Sequence, residues 1–224
     1  MIGATLTVGL LVGCGERQDS SPVPAAAAMQ PKTVKDARPV IVIFGDSLSA
    51  GYGLESGQSY PDYLQKMIDA KGYQFQVVNQ GLSGDTTTGG VSRLDECLLQ
   101  KPKIVVLELG GNDGLRGIAP AITRSNLASM MERIQATGAR VLLAGMTLPR
   151  NYGMEYIQEF DRIFPELAKK YQTGLIPFLL EGLASPKGIV PGMLQADGIH
   201  PTVKGTPIIA QTVFRKLEPL LKGK

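Results

Sequence analysis

His200 is the only histidine among the 224 residues. No other side chain titrates near neutral pH without help from its surroundings, so any hydroxyl activated through an imidazole must use it. Asp197 lies three residues earlier, in Asp197-Gly198-Ile199-His200-Pro201. On a tight turn this spacing lets a carboxylate reach the nearer ring nitrogen, fix the tautomer and steady the imidazolium formed during reaction. Taken alone, the pair also suits an ordinary surface loop. The hydroxyl it would act on is Ser47, which follows the apolar run Val40-Ile41-Val42-Ile43-Phe44 through Gly45-Asp46. Gly45 permits a sharp exit from a strand. Ser47 then opens the next helical turn, where its own N–H can point at a developing oxyanion. The plainer alternative is that Asp46 or Ser47 merely caps a helix.

Two more glycine-rich turns carry groups of the same use. Gly84, in Asn79-Gln80-Gly81-Leu82-Ser83-Gly84-Asp85, lets a backbone N–H approach a substrate closely. Asn112, in Leu109-Gly110-Gly111-Asn112-Asp113, offers a side-chain amide. Removing one oxyanion donor typically costs about a hundred- to a thousandfold in turnover. Separately each stretch is a turn with a capping residue; together they place a small or polar group after three successive strands. Other chemistries find less support. No G-x-S-x-G elbow occurs, and Ser56 stands where a dinucleotide loop begun by Gly51 and Gly53 needs its third glycine. A single histidine argues against a catalytic zinc site, so no metal is expected. Asp46, Asp85 and Asp113 read as caps of backbone N–H groups rather than as a cation site.

These groups need a scaffold that brings strand ends together. Unbroken β-branched or apolar runs at 40–44 and 104–109 read as strands buried on both faces. Shorter ones fall at 75–79, 141–144 and 175–177, the last weakened by Pro177. Helical periodicity covers 61–71, 86–99, 121–136, 155–171 and 203–221. Strands alternating with helices predict a parallel sheet wrapped on both faces, with ligands beyond the carboxyl ends of the strands. At 43% hydrophobic, the chain can fill one sizeable core. The net charge of +3 is scattered, which speaks against a nucleic-acid partner. Cys97 shares helical spacing with Leu94 and Leu98 and reads as a core thiol.

In order, Ser47, Gly84, Asn112 and His200 match the four positions that name the SGNH hydrolases. The blocks Gly45-Asp46-Ser47-Leu48-Ser49-Ala50-Gly51-Tyr52, Gly110-Gly111-Asn112-Asp113-Gly114 and Asp197-Gly198-Ile199-His200-Pro201 resemble those of that family, also called GDSL hydrolases. The likeness runs from residue 39 to the C-terminus and is greatest for the bacterial arylesterase, thioesterase I and lysophospholipase L1 branch. It implies a flavodoxin-like three-layer α/β/α sandwich around a parallel five-stranded sheet. It also implies a Ser47–Asp197–His200 catalytic set, an oxyanion hole from the Ser47 and Gly84 N–H groups with the Asn112 amide, and no cofactor. The expected substrates are carboxylic esters, with thioesters or lysophospholipids as further candidates. An O-acetyl esterase of polysaccharides, and a non-catalytic lipoprotein that binds lipid or glycan, are the alternatives.

The first 13 residues are uncharged and apolar and end in Leu11-Val12-Gly13-Cys14, which resembles a bacterial lipoprotein signal with its lipobox. The basic residue usual before the apolar run is absent. The resemblance implies cleavage before Cys14, a lipid on its sulfur, and export to the periplasmic side of the outer membrane. An ordinary secretory signal is the alternative. Residues 14–38, rich in Ala, Pro and Ser, then form a flexible tether, and 39–224 form the hydrolase domain.

Overall fold

A computed structural model describes residues 37–185 and 188–222, within the compact unit Asp36–Lys224. The leader-like segment 1–13, Cys14 and nearly all of the 14–38 tether lie outside the described residues. In chain order the elements are β1 (Val40–Gly45), α1 (Ser47–Ala50), α2 (Tyr60–Ala70), β2 (Gln76–Gly81), α3 (Thr87–Leu99), β3 (Ile104–Glu108) and α4 (Gly111–Leu115). There follow α5 (Pro120–Ala136), β4 (Arg140–Ala144), α6 (Met154–Lys170), β5 (Gly174–Ile176), the short pair β6 (Ala184–Ser185) and β7 (Gly188–Ile189), and α7 (Thr206–Lys222).

β1 to β5 form one parallel sheet in the order β2-β1-β3-β4-β5. This is the doubly wound order whose switch point lies between β1 and β3. Strand alternation divides the core into two layers. Ile41, Ile43, Ile104, Val106, Leu142 and Ala144 face α2 and α7, whose Leu64, Ile68, Ile209, Val213 and Leu217 cover them. Val42, Phe44, Val105, Leu107, Val141 and Leu143 face α3, α5 and α6, met by Leu94, Leu127, Ile134, Phe160 and Phe164. Both faces are therefore sealed, which is why the strands read as continuous apolar runs instead of alternating ones. Cys97 lies buried in the second layer, and burial pushes its thiol up to about 12.

The expected elements appear, with two shifts of consequence. The last helix starts at Thr206 rather than near 203. Residues 202–205 make a turn closed by the Gly205 and Thr206 N–H groups donating to the Thr202 carbonyl. A side chain on Gly205 would collide with the Met193 carbonyl, so that turn packs tightly on the preceding loop. The other is an addition, the β6–β7 hairpin, each strand only two residues long. No helix among the described residues is long and apolar enough to cross a membrane.

Leu107 is fully buried at the centre of the second layer. Leu107→Ala should lower the unfolding free energy by about 2–5 kcal/mol, measured by urea titration. A loss below the error of that measurement would mean the layer is not packed as described.

Candidate active site

β1 ends at Gly45, and the chain turns at once into α1. Asp46 is the N-cap: its Oδ1 accepts the Leu48 N–H at 3.0 Å. Ser47 is thereby the first residue of the turn, almost buried, with 9% of its surface accessible. The other strands deliver their groups to the same rim. The Leu82 N–H donates to the Gly45 carbonyl, which docks the loop after β2 against the end of β1. In that loop Gly84 has φ +80°, a left-handed conformation costly to any residue with a Cβ. Past β3, Gly110 leads into α4, which carries Asn112.

His200 arrives from the loop before α7. Its Nε2 lies 2.8 Å from Ser47 Oγ, and its Nδ1 lies 2.6 Å from Asp197 Oδ2. The other Asp197 oxygen accepts the Ile199 and His200 N–H groups at 2.9 and 3.0 Å. Burial alone would lift the Asp197 carboxyl. The ring hydrogen bond and those two backbone N–H groups outweigh it and hold the carboxyl below its usual range. An ionised partner at Nδ1 leaves Nε2 as the acceptor for a hydroxyl proton, so this arrangement can deprotonate Ser47. Ser47 and the Asp197–His200 pair, read apart in the sequence, thus meet in one hydrogen-bonded line.

Asn112 stands beside this line. Its Nδ2 donates to Asp46 Oδ2 at 3.0 Å and to the Asp85 carbonyl at 2.9 Å, tying the β1, β2 and β3 loops together. Asp46 and Asp113 act as expected of capping acids. Asp113 is fully buried and accepts the Thr87 N–H at 2.8 Å, satisfying the start of α3. Asp85 differs, because its main partner is a side chain, Arg93 Nε at 2.7 Å.

Four contributors went unseen in the sequence. Arg93 donates to the Gln80 and Gly45 carbonyls, both at 2.9 Å, and stacks over the Phe44 ring at 4.0 Å. Gln195 Nε2 donates to the Tyr52 and Pro201 carbonyls at 2.8 and 2.9 Å, lacing the His200 loop to the loop after α1. The Tyr52 ring lies 4.5 Å from the imidazole. Glu108, the last residue of β3, is fully buried with Oε2 accepting the Asp46 N–H at 3.1 Å. Only the isolated acid at the end of an apolar strand, and a glutamine five residues before the histidine, hinted at any of this.

Next to these groups opens a cleft of about 880 Å³. Gly111 borders it beside Asn112, and Gly198 and Ile199 border it between Asp197 and His200. Its walls are chiefly apolar, with Leu115, Leu148, Met154, Ile157, Phe178 and Leu194 among them. The Tyr152 and Tyr156 hydroxyls donate to the Leu115 and Ile118 carbonyls at 2.9 and 2.7 Å, anchoring the 114–119 segment at one side. Among the described residues no group of three His, Cys, Asp or Glu is arranged to hold a metal ion.

A model of the GDSL-like lipase/acylhydrolase family matches residues 43–206. Esterase TesA of Pseudomonas aeruginosa is 47% identical over 190 residues, covering 84% of this chain and 92% of that protein. Thioesterase 1/protease 1/lysophospholipase L1 of Escherichia coli K12 is 39% identical over 186 residues, covering 83% and 86%. Among solved structures, a crystal structure of TesA superposes with a TM-score of 0.76 at 47% identity, over 81% of this chain and 99% of that one.

Two outcomes follow from the rim. A Cβ on Gly45 would collide with the Glu108 carboxyl and the Ser49 hydroxyl. Gly45→Ala should therefore cost about 1–3 kcal/mol in urea unfolding and reduce ester turnover; an unchanged midpoint would show that the rim has room to spare. Burial pushes the Asp46 carboxyl from 3.8 up to about 6, against the lowering effect of the Leu48 N–H. An acid whose folded pKa is raised stabilises the protein at low pH and loses that contribution as pH rises through the folded value. Across the window from about 4 to about 6, the melting temperature of the parent should fall relative to that of Asp46→Asn. Parallel pH profiles for the two proteins would contradict this.

Proposed function

Since the chain belongs to the GDSL-like lipase/acylhydrolase family and is a serine ester hydrolase, we propose that Ser47, His200 and Asp197 carry its acyl transfer. The observation that supports this most directly is the 2.8 Å approach of His200 Nε2 to Ser47 Oγ, with Asp197 on the far side of the ring. His200 takes the hydroxyl proton as Ser47 Oγ bonds to the carbonyl carbon. The carbonyl π electrons move to oxygen, and the Ser47 and Gly84 N–H groups with the Asn112 amide hold the oxyanion. To take part, Asn112 exchanges or shares its bond to Asp46. Collapse expels the leaving group, which takes the proton from His200, and leaves an ester on Ser47. Water, deprotonated by His200, then releases the carboxylic acid and restores the hydroxyl. No step calls for a cofactor.

The apolar cleft bordered by Gly111 and Ile199 suits an aliphatic or aromatic acyl group larger than acetyl. With relatives named as esterase and as thioesterase and lysophospholipase, the substrates we assign are carboxylic esters, then thioesters and lysophospholipids. The same reading takes residues 1–13 as a lipoprotein signal, Cys14 as the lipidated residue, 14–38 as a tether and 39–224 as the enzyme. It places the enzyme on the periplasmic side of the outer membrane.

A fluorophosphonate probe should label the purified protein and fail to label Ser47→Ala. His200→Ala should lower kcat on a p-nitrophenyl ester by about 10²–10⁴-fold. Labelling of Ser47→Ala, or full turnover by His200→Ala, would refute the assignment. For the anchor, mass spectrometry of the mature N-terminus should find a diacylglyceryl group on Cys14. A mature chain starting elsewhere, or with an unmodified Cys14 thiol, would leave only ordinary export.

A further inference from the structure

Two fully buried polar side chains under the rim, Ser49 and Glu108, have no part in the acyl transfer described above. Glu108 sits beside Gly45, its register partner on β1. Its Oε2 receives two hydrogen bonds, from the Asp46 N–H at 3.1 Å and from the Ser49 hydroxyl at 2.7 Å. Ser49 Oγ is also 2.8 Å from the hydroxyl of Tyr60, which is fully buried at the start of α2. The remaining oxygen, Glu108 Oε1, is buried without a hydrogen-bond partner.

The placement of these bonds matters more than their number. Asp46 immediately precedes Ser47, and Ser49 follows two residues later in the same short turn. One carboxyl oxygen thus grips the turn on both sides of the nucleophile. A four-residue helix has too few internal hydrogen bonds to hold itself rigid. Asp46 in turn accepts from Asn112, so the same grip reaches the third oxyanion donor. Among the described residues no cation pairs with Glu108, and the groups facing it are the Asp46 carboxyl and the Tyr60 phenol. Burial, and then the Asp46 charge, push its carboxyl well above the usual carboxylate range.

We propose that Glu108 is a positioning residue: acting through Asp46 and Ser49, it fixes the turn that aims Ser47 at His200. The proposal rests on Ser47 being the nucleophile. As an acceptor of two hydrogen bonds on one oxygen it is mimicked by glutamine, whose carbonyl can receive the same pair.

The experiment compares Glu108→Gln, Glu108→Ala and Ser49→Ala in the full chain. Active sites are titrated with fluorophosphonate, and kcat, KM and the labelling rate are then measured with a p-nitrophenyl ester. Per titrated site, Glu108→Ala and Ser49→Ala should lose about ten- to a hundredfold in kcat and in labelling rate with KM little changed. Glu108→Gln should stay within about threefold of the parent in kcat. A residue that only stabilised the fold would lower the fraction of titratable sites and leave kcat per site intact, and that result overturns the proposal. So does a Glu108→Gln protein as slow as Glu108→Ala, which would make the ionised carboxylate the working form. Should Glu108→Ala fail to fold, Ser49→Ala decides: parent-like labelling by it rejects the grip. Failure of the parent itself to label at Ser47 would instead strike the nucleophile assignment.

Discussion

The hydrogen bond between Ser47 Oγ and His200 Nε2 joins residues 153 positions apart, and the site cannot exist without it. Closing so long a loop in a flexible chain costs about 4 kcal/mol of entropy. The sheet meets that cost once for every group at the rim. Because all five of its strands point the same way, their carboxyl ends arrive together. β1 brings Ser47, the loop after β2 brings Gly84, and β3 brings Glu108 and then Asn112. Only the His200 loop lacks a strand end of its own. It is held by backbone hydrogen bonds to Asp197 and by the Gln195 amide, which reaches across to the Tyr52 carbonyl.

Much of this was legible in the residues. The runs at 40–44 and 104–109 read as strands covered on both faces, and the helical stretches between them argued parallel crossovers. Ser47, Asp197 and His200 could be picked out because the chemistry needs their types and only one histidine was available. Three kinds of feature could not be read. The β6–β7 hairpin and the 202–205 turn are too short to leave a period, and tertiary packing decides them. Gln195 and Arg93 are common polar residues whose meaning lies in what they touch. Glu108 reads as the ordinary end of a strand until its neighbours are known, when it becomes a buried acid pressed against Gly45. Cys14 and the leader-like segment belong to residues that the structure does not describe, so their meaning still rests on resemblance.

The rim is also a study in how acids are kept near a reaction that makes negative charge. Four carboxyl groups lie there besides Asp197, and each is answered differently. Asp85 has the Arg93 guanidinium, and Asp113 has a helix start with the Thr87 and Thr123 hydroxyls. Asp46 has the Leu48 N–H and the Asn112 amide. Glu108 has two donors on one oxygen, no cation among the described residues, and a carboxyl pushed well above its usual range by burial. Were Asp46 and Glu108 both ionised in that small dry volume, their repulsion would oppose the oxyanion as well as each other.

The last helix starts beside the His200 loop and runs back along the sheet for 17 residues, about 25 Å. Near its far end Glu218 accepts a hydrogen bond from Tyr73, in the connection that leads into β2. β1 starts from that same far side. The start of β1 at Val40 and the end of α7 at Lys222 therefore both lie on the floor of the described domain, opposite the cleft. A surface, resin or fusion partner joined directly at residue 39 or at residue 222 would leave the cleft mouth open to substrate, which suits this architecture to immobilised use.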